Sequence, residues 1–227
     1  MTTDTIGGLF AAAVAADPAR PLLTWYDDAT GERTELSGAT LGNWVAKTAN
    51  LLVDGAGLAP GDTAAVLLPP HWQTAAVLLG CWTAGVAVAA GPADVAFGTG
   101  AEDADAPERY ATALHPFALP LRPLPAGWSD YTVEVRTHGD HFRPYQPVTG
   151  TDAALDGRSH AEVVAAAAAR AAELGLTGRV LIDVGAHPDP VDWLLTPLAA
   201  GATIVACAHL DAARLADRLT AERAHAV

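Results

Sequence analysis

Apolar and polar positions along the chain change period several times, and each change marks an element. Ile6 to Ala16 is apolar throughout and stops at Asp17-Pro18, which predicts a first helix. Leu22–Tyr26 and Glu32–Leu36 are short runs on either side of Asp27-Asp28-Ala29-Thr30-Gly31, the pattern of a β-hairpin. After Ser37, a good N-cap, apolar side chains recur at Leu41, Trp44, Val45, Thr48 and Leu52, one buried stripe of a helix that Gly55 ends. Thr63–Leu68 has no polar alternation after its first residue, as expected for a strand covered on both faces, and Pro69-Pro70 breaks it. His71–Ala84 is apolar almost all round and predicts a buried helix closed by Gly85. Val86–Ala90 then reads as a strand parallel to Thr63–Leu68, joined to it by a right-handed crossover.

Residues 91–147 carry many Pro, Gly, Asp and His and lose this regularity. Val95–Phe97 and Tyr110–Leu114 read as short strands, Pro116–Pro125 as extended chain, and Asp130–Thr137 as a short helix. From Ser159 the pattern returns. Ser159-His160-Ala161-Glu162 is a capping box ahead of an alanine-rich helix that runs to Leu174, with Gly175 beyond it. Strands follow at Arg179–Val184 and Ala202–Ala206, and helices at Pro190–Ala200 and Asp211–Ala224. His225-Ala226-Val227 looks like the start of another strand. The sum is an α/β fold, layered α/β/α around a mostly parallel central sheet. One domain over 1–227 is expected, with 91–147 as an irregular segment over a sheet edge or the cleft.

Composition narrows the function classes. The chain has 227 residues, 51% of them hydrophobic, enough for a substantial core and too apolar for general disorder. A formal net charge of -13 argues against nucleic acid and against anionic membrane. No apolar run is long enough for a membrane span, and the N-terminus lacks the basic and apolar regions of a signal peptide. Cys81 and Cys207 are isolated in apolar runs with no zinc-type spacing, which fits buried thiols in a reducing cytoplasm. The strand-like end of the chain suggests an exposed sheet edge, and so a homo-oligomer or a protein partner.

The candidate chemistry centres on Thr149-Gly150-Thr151, a turn ahead of a helix N-terminus, where backbone amides can receive an anion. The turn has no lysine; the chain's only lysine is Lys47. Asp152 and Asp156 add negative charge instead, which favours the competing reading of a plain surface turn. His187, with Asp189 or Asp192, offers an acid/base pair, against a solvent-facing loop histidine. His138, Asp140 and His141 are a poor match to closed metal sites, and no metal is expected. Neither Ser37 nor Ser159 sits in a G-x-S-x-G elbow, and no G-x-G-x-x-G opens a helix after a strand.

Two stretches resemble the N-terminal domain of the adenylate-forming, AMP-binding superfamily of acyl-CoA synthetases, peptide-synthetase adenylation domains and luciferases. In the first, T-E-L-S-G-A-T-L-G-N-W-V-A-K-T-A-N-L-L resembles the family's opening helix, and G-L-A-P-G-D-T-A-A-V-L-L-P its G-x-x-x-G-D-x-V-x-x-x-L-P strand. In the second, S-H-A-E-V-V-A-A-A-A resembles the helix after the phosphate loop, and P-L-A-A-G-A-T-I-V the P-L-x-x-G-A-x-x-V segment. Both stand in the family's order. The resemblance implies ATP, AMP or CoA as ligands, and places His187 near the residue that borders the acyl pocket. It also implies a loop of the form T-S-G-S-T-G-x-P-K-G immediately before Ser-His, whereas this chain reads V-T-G-T-D-A-A-L-D-G-R there. The family's later Tyr-Gly-x-Thr-Glu segment, ribose-binding Asp and C-terminal lysine have no counterpart in these residues. The pattern is similar to a short actinobacterial offshoot without the C-terminal domain. The expectation is a non-catalytic relative that binds a ligand or a partner weakly. The competing readings are one subunit of a split acyl-activating enzyme and a structural or regulatory protein.

Overall fold

The computed structural model describes residues 4–227. In chain order the elements are α1 (Ile6–Ala16), β1 (Pro21–Asp27), β2 (Glu32–Ser37), α2 (Gly38–Asn50), β3 (Thr63–Val66), α3 (Trp72–Ala84), β4 (Ala87–Val88), β5 (Val95–Gly98) and β6 (Glu108–Ala111). They continue with β7 (Ser129–Asp130), α4 (Tyr131–Glu134), β8 (Ala153–Leu155), β9 (Arg158–Ser159), α5 (His160–Leu174) and β10 (Arg179–Asp183). The last are α6 (Thr196–Ala199), β11 (Thr203–Ala208), α7 (Leu215–Glu222) and β12 (His225–Ala226).

The α/β layering and the parallel pairing hold, but the strands divide between two sheets. One is five-stranded in the order β12-β10-β11-β1-β2, the other seven-stranded in the order β7-β6-β5-β3-β4-β8-β9. Among the described residues only the β1/β2 and β8/β9 pairs are antiparallel. The largest core cluster draws on both sheets and on α1, α2, α3 and α5 between them, with α3 touching both β1 and β3. The period-2 alternation of strands explains how each sheet serves two cores. In the seven-stranded sheet Ala64, Val95 and Phe97 face the helices, while Ala65, Ala96 and Ala111 face a second small cluster around Trp128. In the five-stranded sheet Val180, Ile182 and Ile204 face inward, while Leu181, Val205 and Cys207 pack under Leu215 and Leu219 of α7.

Residues 91–147 are more regular than their composition suggests. They supply β5, β6 and β7, three strands of the larger sheet, rather than a covering over an edge. These strands are two to four residues long and carry no readable alternation, because β5 is buried on both faces. Local signals set the helix ends. Thr5 caps α1 through Gly8 N–H at 3.0 Å, and Ser37 caps α2 through Thr40 N–H at 3.1 Å. Gly85 closes α3 with φ +81°, and a Cβ there would lie 2.9 Å from Pro60. Two segments wind more loosely than an α-helix. Leu51–Gly55 continues α2 as a π-helical turn, and Val191–Leu195 forms another ahead of α6, so the segment predicted as one helix over Pro190–Ala200 has two pitches.

A charged network pins α7 to the outer face of the smaller sheet. Arg218 grips Asp28 through two bonds of 2.9 and 2.5 Å, and its guanidinium lies 4.2 Å from the Tyr26 ring centre. Glu222 receives Arg179 at 2.6 Å, Arg33 at 3.0 Å and the Tyr26 hydroxyl at 2.5 Å. Among the described residues no helix is long and apolar enough to cross a membrane.

Candidate functional site

The Thr149–His160 segment folds on itself. Thr149 N–H donates to the Asp152 carboxylate at 2.7 Å, and the Thr149 and Thr151 hydroxyls lie 3.0 Å apart. Ala161 N–H donates to Gly150 C=O at 2.9 Å, and His160 N–H to Asp152 C=O at 2.9 Å. Gly150 lies under Asp4, whose Oδ2 stands 2.8 Å from where a Cβ would be. Thr149–Thr151 therefore sit before β8, tied to the start of α5 and to the residue preceding Thr5. A carboxylate of the turn itself takes an amide that an anion would need.

The chain immediately ahead of Ser159-His160 is a different object. Leu155 of β8 pairs with Arg158 of β9, so the link between these strands is Asp156-Gly157 alone. Their φ values, +49° and +78°, are both positive, as a type I′ hairpin turn requires. Counted back from Ser159, the T-S-G-S-T-G-x-P-K-G loop that the resemblance implies falls on residues 149–158; β8 and this turn take up 153–157 of that stretch, and it holds no lysine. Among the described residues, no Lys or Arg forms an ion pair with Asp152 or Asp156. The stretch that the resemblance assigns to phosphate thus carries two carboxylates and no lysine. At 4 Å each pair of like unit charges repels by about 1 kcal/mol even in water, and no lysine in this stretch offsets it.

Asp156 is one of the residues that line a cleft of about 280 Å³. The cleft lies at the carboxyl ends of β3 and β4, where open α/β sheets hold their ligands. Val66–Leu68, Val88–Ala90, Pro188, Pro190 and Trp193 are among its lining residues. His187 is half-buried and is not part of this wall; its N–H bonds back to Asp183 C=O at 3.0 Å. Asp189 caps the following turn through Val191 N–H at 2.8 Å, and Asp192 lies 3.9 Å from Arg170. Both carboxylates are thus engaged elsewhere and neither pairs with His187.

Two histidines that sequence reasoning treats only as helix starts are the most perturbed. His71 accepts Gln73 N–H on Nδ1 at 3.1 Å, caps α3, and meets the Trp25 ring edge-on at 4.8 Å. Burial drives its pKa down to about 3, with the charge of Asp27 opposing. His160 accepts Ile6 N–H on Nδ1 at 3.3 Å, and burial lowers its pKa against the opposing charges of Asp152 and Asp4. Both rings are neutral at pH 7, and their Nε2 atoms are buried without partners among the described residues. Neither reaches the cleft wall, so both read as structural. Burial also pushes the Cys81 thiol up to about 12 and Cys207 to about 11, so neither offers a thiolate nucleophile. Lys47 donates to His138 C=O at 2.5 Å and Asn50 to His141 C=O at 3.0 Å, which ties this stretch to α2, while the His141 ring meets its neighbour Asp140 at 3.0 Å.

The family model described as AMP-binding enzyme matches residues 10–96. A protein of Mycobacterium tuberculosis (strain ATCC 25618 / H37Rv), described as a TIGR03089 family protein, is 44% identical over 241 residues, which cover 98% of both chains. Among solved structures, the Brucella canis acyl-CoA synthetase superposes with a TM-score of 0.72 at 18% identity, over 94% of this chain and 45% of that one. A Mycobacterium tuberculosis fatty acyl CoA synthetase superposes with a TM-score of 0.66 at 15% identity, over 98% of this chain and 48% of that one. The chain spans just under half the length of these two synthetases, and the likeness to them is one of fold.

Proposed function

We propose a binding role without adenylating chemistry for this chain, which belongs to the TIGR03089 family and carries the fold of the adenylate-forming superfamily. The observation that carries the reading is the stretch 149–158, where the Asp152 carboxylate takes the Thr149 N–H at 2.7 Å, Asp156-Gly157 closes a tight turn and no lysine stands. Acyl adenylation develops negative charge around phosphorus, and enzymes lower that barrier with preorganised donors and cations. Here the corresponding stretch offers a tight turn, two carboxylates and no lysine. The cleft beside it remains, apolar and of a size for a small ligand. A relative that keeps the fold and the cleft while lacking the phosphate-binding element is one that holds a ligand rather than activating it.

A thermal-shift series with ATP, AMP, CoA and acyl-CoAs at millimolar concentration tests this. A ligand that binds the folded state raises the melting temperature as its concentration passes its Kd. The expected result is no shift with ATP or AMP. A saturable shift with ATP in the low micromolar range would overturn the reading.

A further inference from the structure

We propose that the cleft at the carboxyl ends of β3 and β4 takes a small apolar amine, an ammonium head on a short hydrocarbon or single-ring body. This rests on the reading above that the face binds rather than adenylates, and it names the ligand class. The volume of about 280 Å³ is at the lower end for ligand sites, which limits the body to a short chain or one ring. Val66, Leu68, Leu78, Val88, Leu155 and Trp193 give the wall its apolar character. One ionisable residue lines the cleft, and it is an acid. Asp156 is exposed, and its carboxylate has no hydrogen-bond or ion-pair partner among the described residues.

The position of Asp156 is set by backbone. Its φ of +49° belongs to the type I′ turn, and its N–H donates to Val88 C=O at 2.9 Å, which fastens the turn to the end of β4. The backbone of the one ionisable lining residue is therefore held in place before any ligand arrives. No Lys, Arg or His lines the cleft. A carboxylate or phosphate ligand would meet a like charge here, in a chain whose formal charge is already -13. A protonated amine finds the opposite: an apolar slot for its body and an unpaired carboxylate for its head.

Three ligands with the same phenyl body decide the matter: phenethylamine, 2-phenylethanol and 3-phenylpropionate. Their Kd values are measured by calorimetry, and the site is checked by the shift of the Trp193 indole NMR signal, assigned with Trp193→Phe. The amine is expected to bind best and the carboxylate worst. An exposed ion pair is worth roughly two- to fivefold in affinity, so the span from amine to carboxylate is on the order of tenfold. Asp156→Asn keeps the fold, because Asn-Gly is a preferred type I′ pair. It is expected to reduce the amine to the level of the alcohol while leaving the alcohol unchanged. Carboxylate binding as tight as amine binding would overturn the proposal. So would an amine preference that survives Asp156→Asn, an unmoved Trp193 signal, or no binding of the amine at millimolar concentration. ATP-dependent activation of an acid would instead overturn the reading it rests on, and leaves this ranking of ligands as a separate result.

Discussion

His71 makes the stability of the fold depend on pH in a window where few other groups titrate. Its ring is almost fully buried, between the cap of α3 and the Trp25 edge, and its pKa falls from 6.5 to about 3. Below pH 6.5 the unfolded chain binds a proton at this histidine and the folded chain does not. Stability is therefore complete above 6.5 and is lost as pH falls from 6.5 towards 3. At pH 5 the loss from this one residue is about 2 kcal/mol, and the figure hardly changes if the folded pKa is a unit higher. The depressed carboxylates Asp28, Asp94, Glu102, Asp140, Glu162 and Glu222 work in the same direction, but only at and below their ordinary values of 3.8 and 4.5. The interval from 6.5 to 5 belongs to the histidines. Urea unfolding at pH 7.5, 6.5, 5.5 and 5.0 reads the effect as a falling midpoint. His71→Asn keeps an acceptor for Gln73 N–H and removes the titration. Its midpoint should fall less over this range, with His160 supplying the remaining slope. A wild-type midpoint that stays flat from 7.5 to 5.0 would refute the reasoning. So would a variant that loses as much stability as the wild type.

Two glycines should respond to alanine with opposite signs. A Cβ at Gly80 would stand 2.5 Å from Thr48 Cγ2 where α3 crosses α2, so Gly80→Ala is expected to destabilise by about 1–3 kcal/mol in urea unfolding. Gly42, within α2, has nothing within 4 Å of a built Cβ, so Gly42→Ala should stabilise by roughly 0.4–1 kcal/mol in the same assay. Arg218→Met leaves Asp28 buried without its two charged bonds, and calorimetric melting should report a loss of roughly 3–5 kcal/mol. An unchanged melting temperature would mean that α7 is held by its apolar contacts alone.

The elements with local signals are legible in the sequence, and the pairing between them is not. Thr5, Ser37, Ser159, Gly85 and Gly175 mark helix ends through side-chain caps or left-handed backbone, and the sequence carries those requirements directly. Which sheet a doubly buried strand joins is a long-range choice. Thr63–Leu68 and Ala202–Ala206 read alike in sequence, yet their strands lie in different sheets. The π-helical turns at Leu51 and Val191 leave no periodic trace over five residues each. At the candidate site, Asp156-Gly157 is a hairpin signal in its own right. Counting back from Ser159-His160 hides it, because that count assigns the turn's role to Thr149–Thr151. Ala153–Leu155 and Arg158–Ser159 are also too short to show alternation. His187 is drawn towards the cleft by resemblance, and the structure gives its neighbours Pro188 and Pro190 that place instead.

The most direct test of the account is ATP–pyrophosphate exchange, run on the purified chain with a panel of carboxylic acids and magnesium. A stretch before Ser159-His160 that carries Asp152 and Asp156 and no lysine predicts exchange no faster than the protein-free control for every acid. Robust, protein-dependent exchange with any one of them, abolished by heat denaturation, would contradict it.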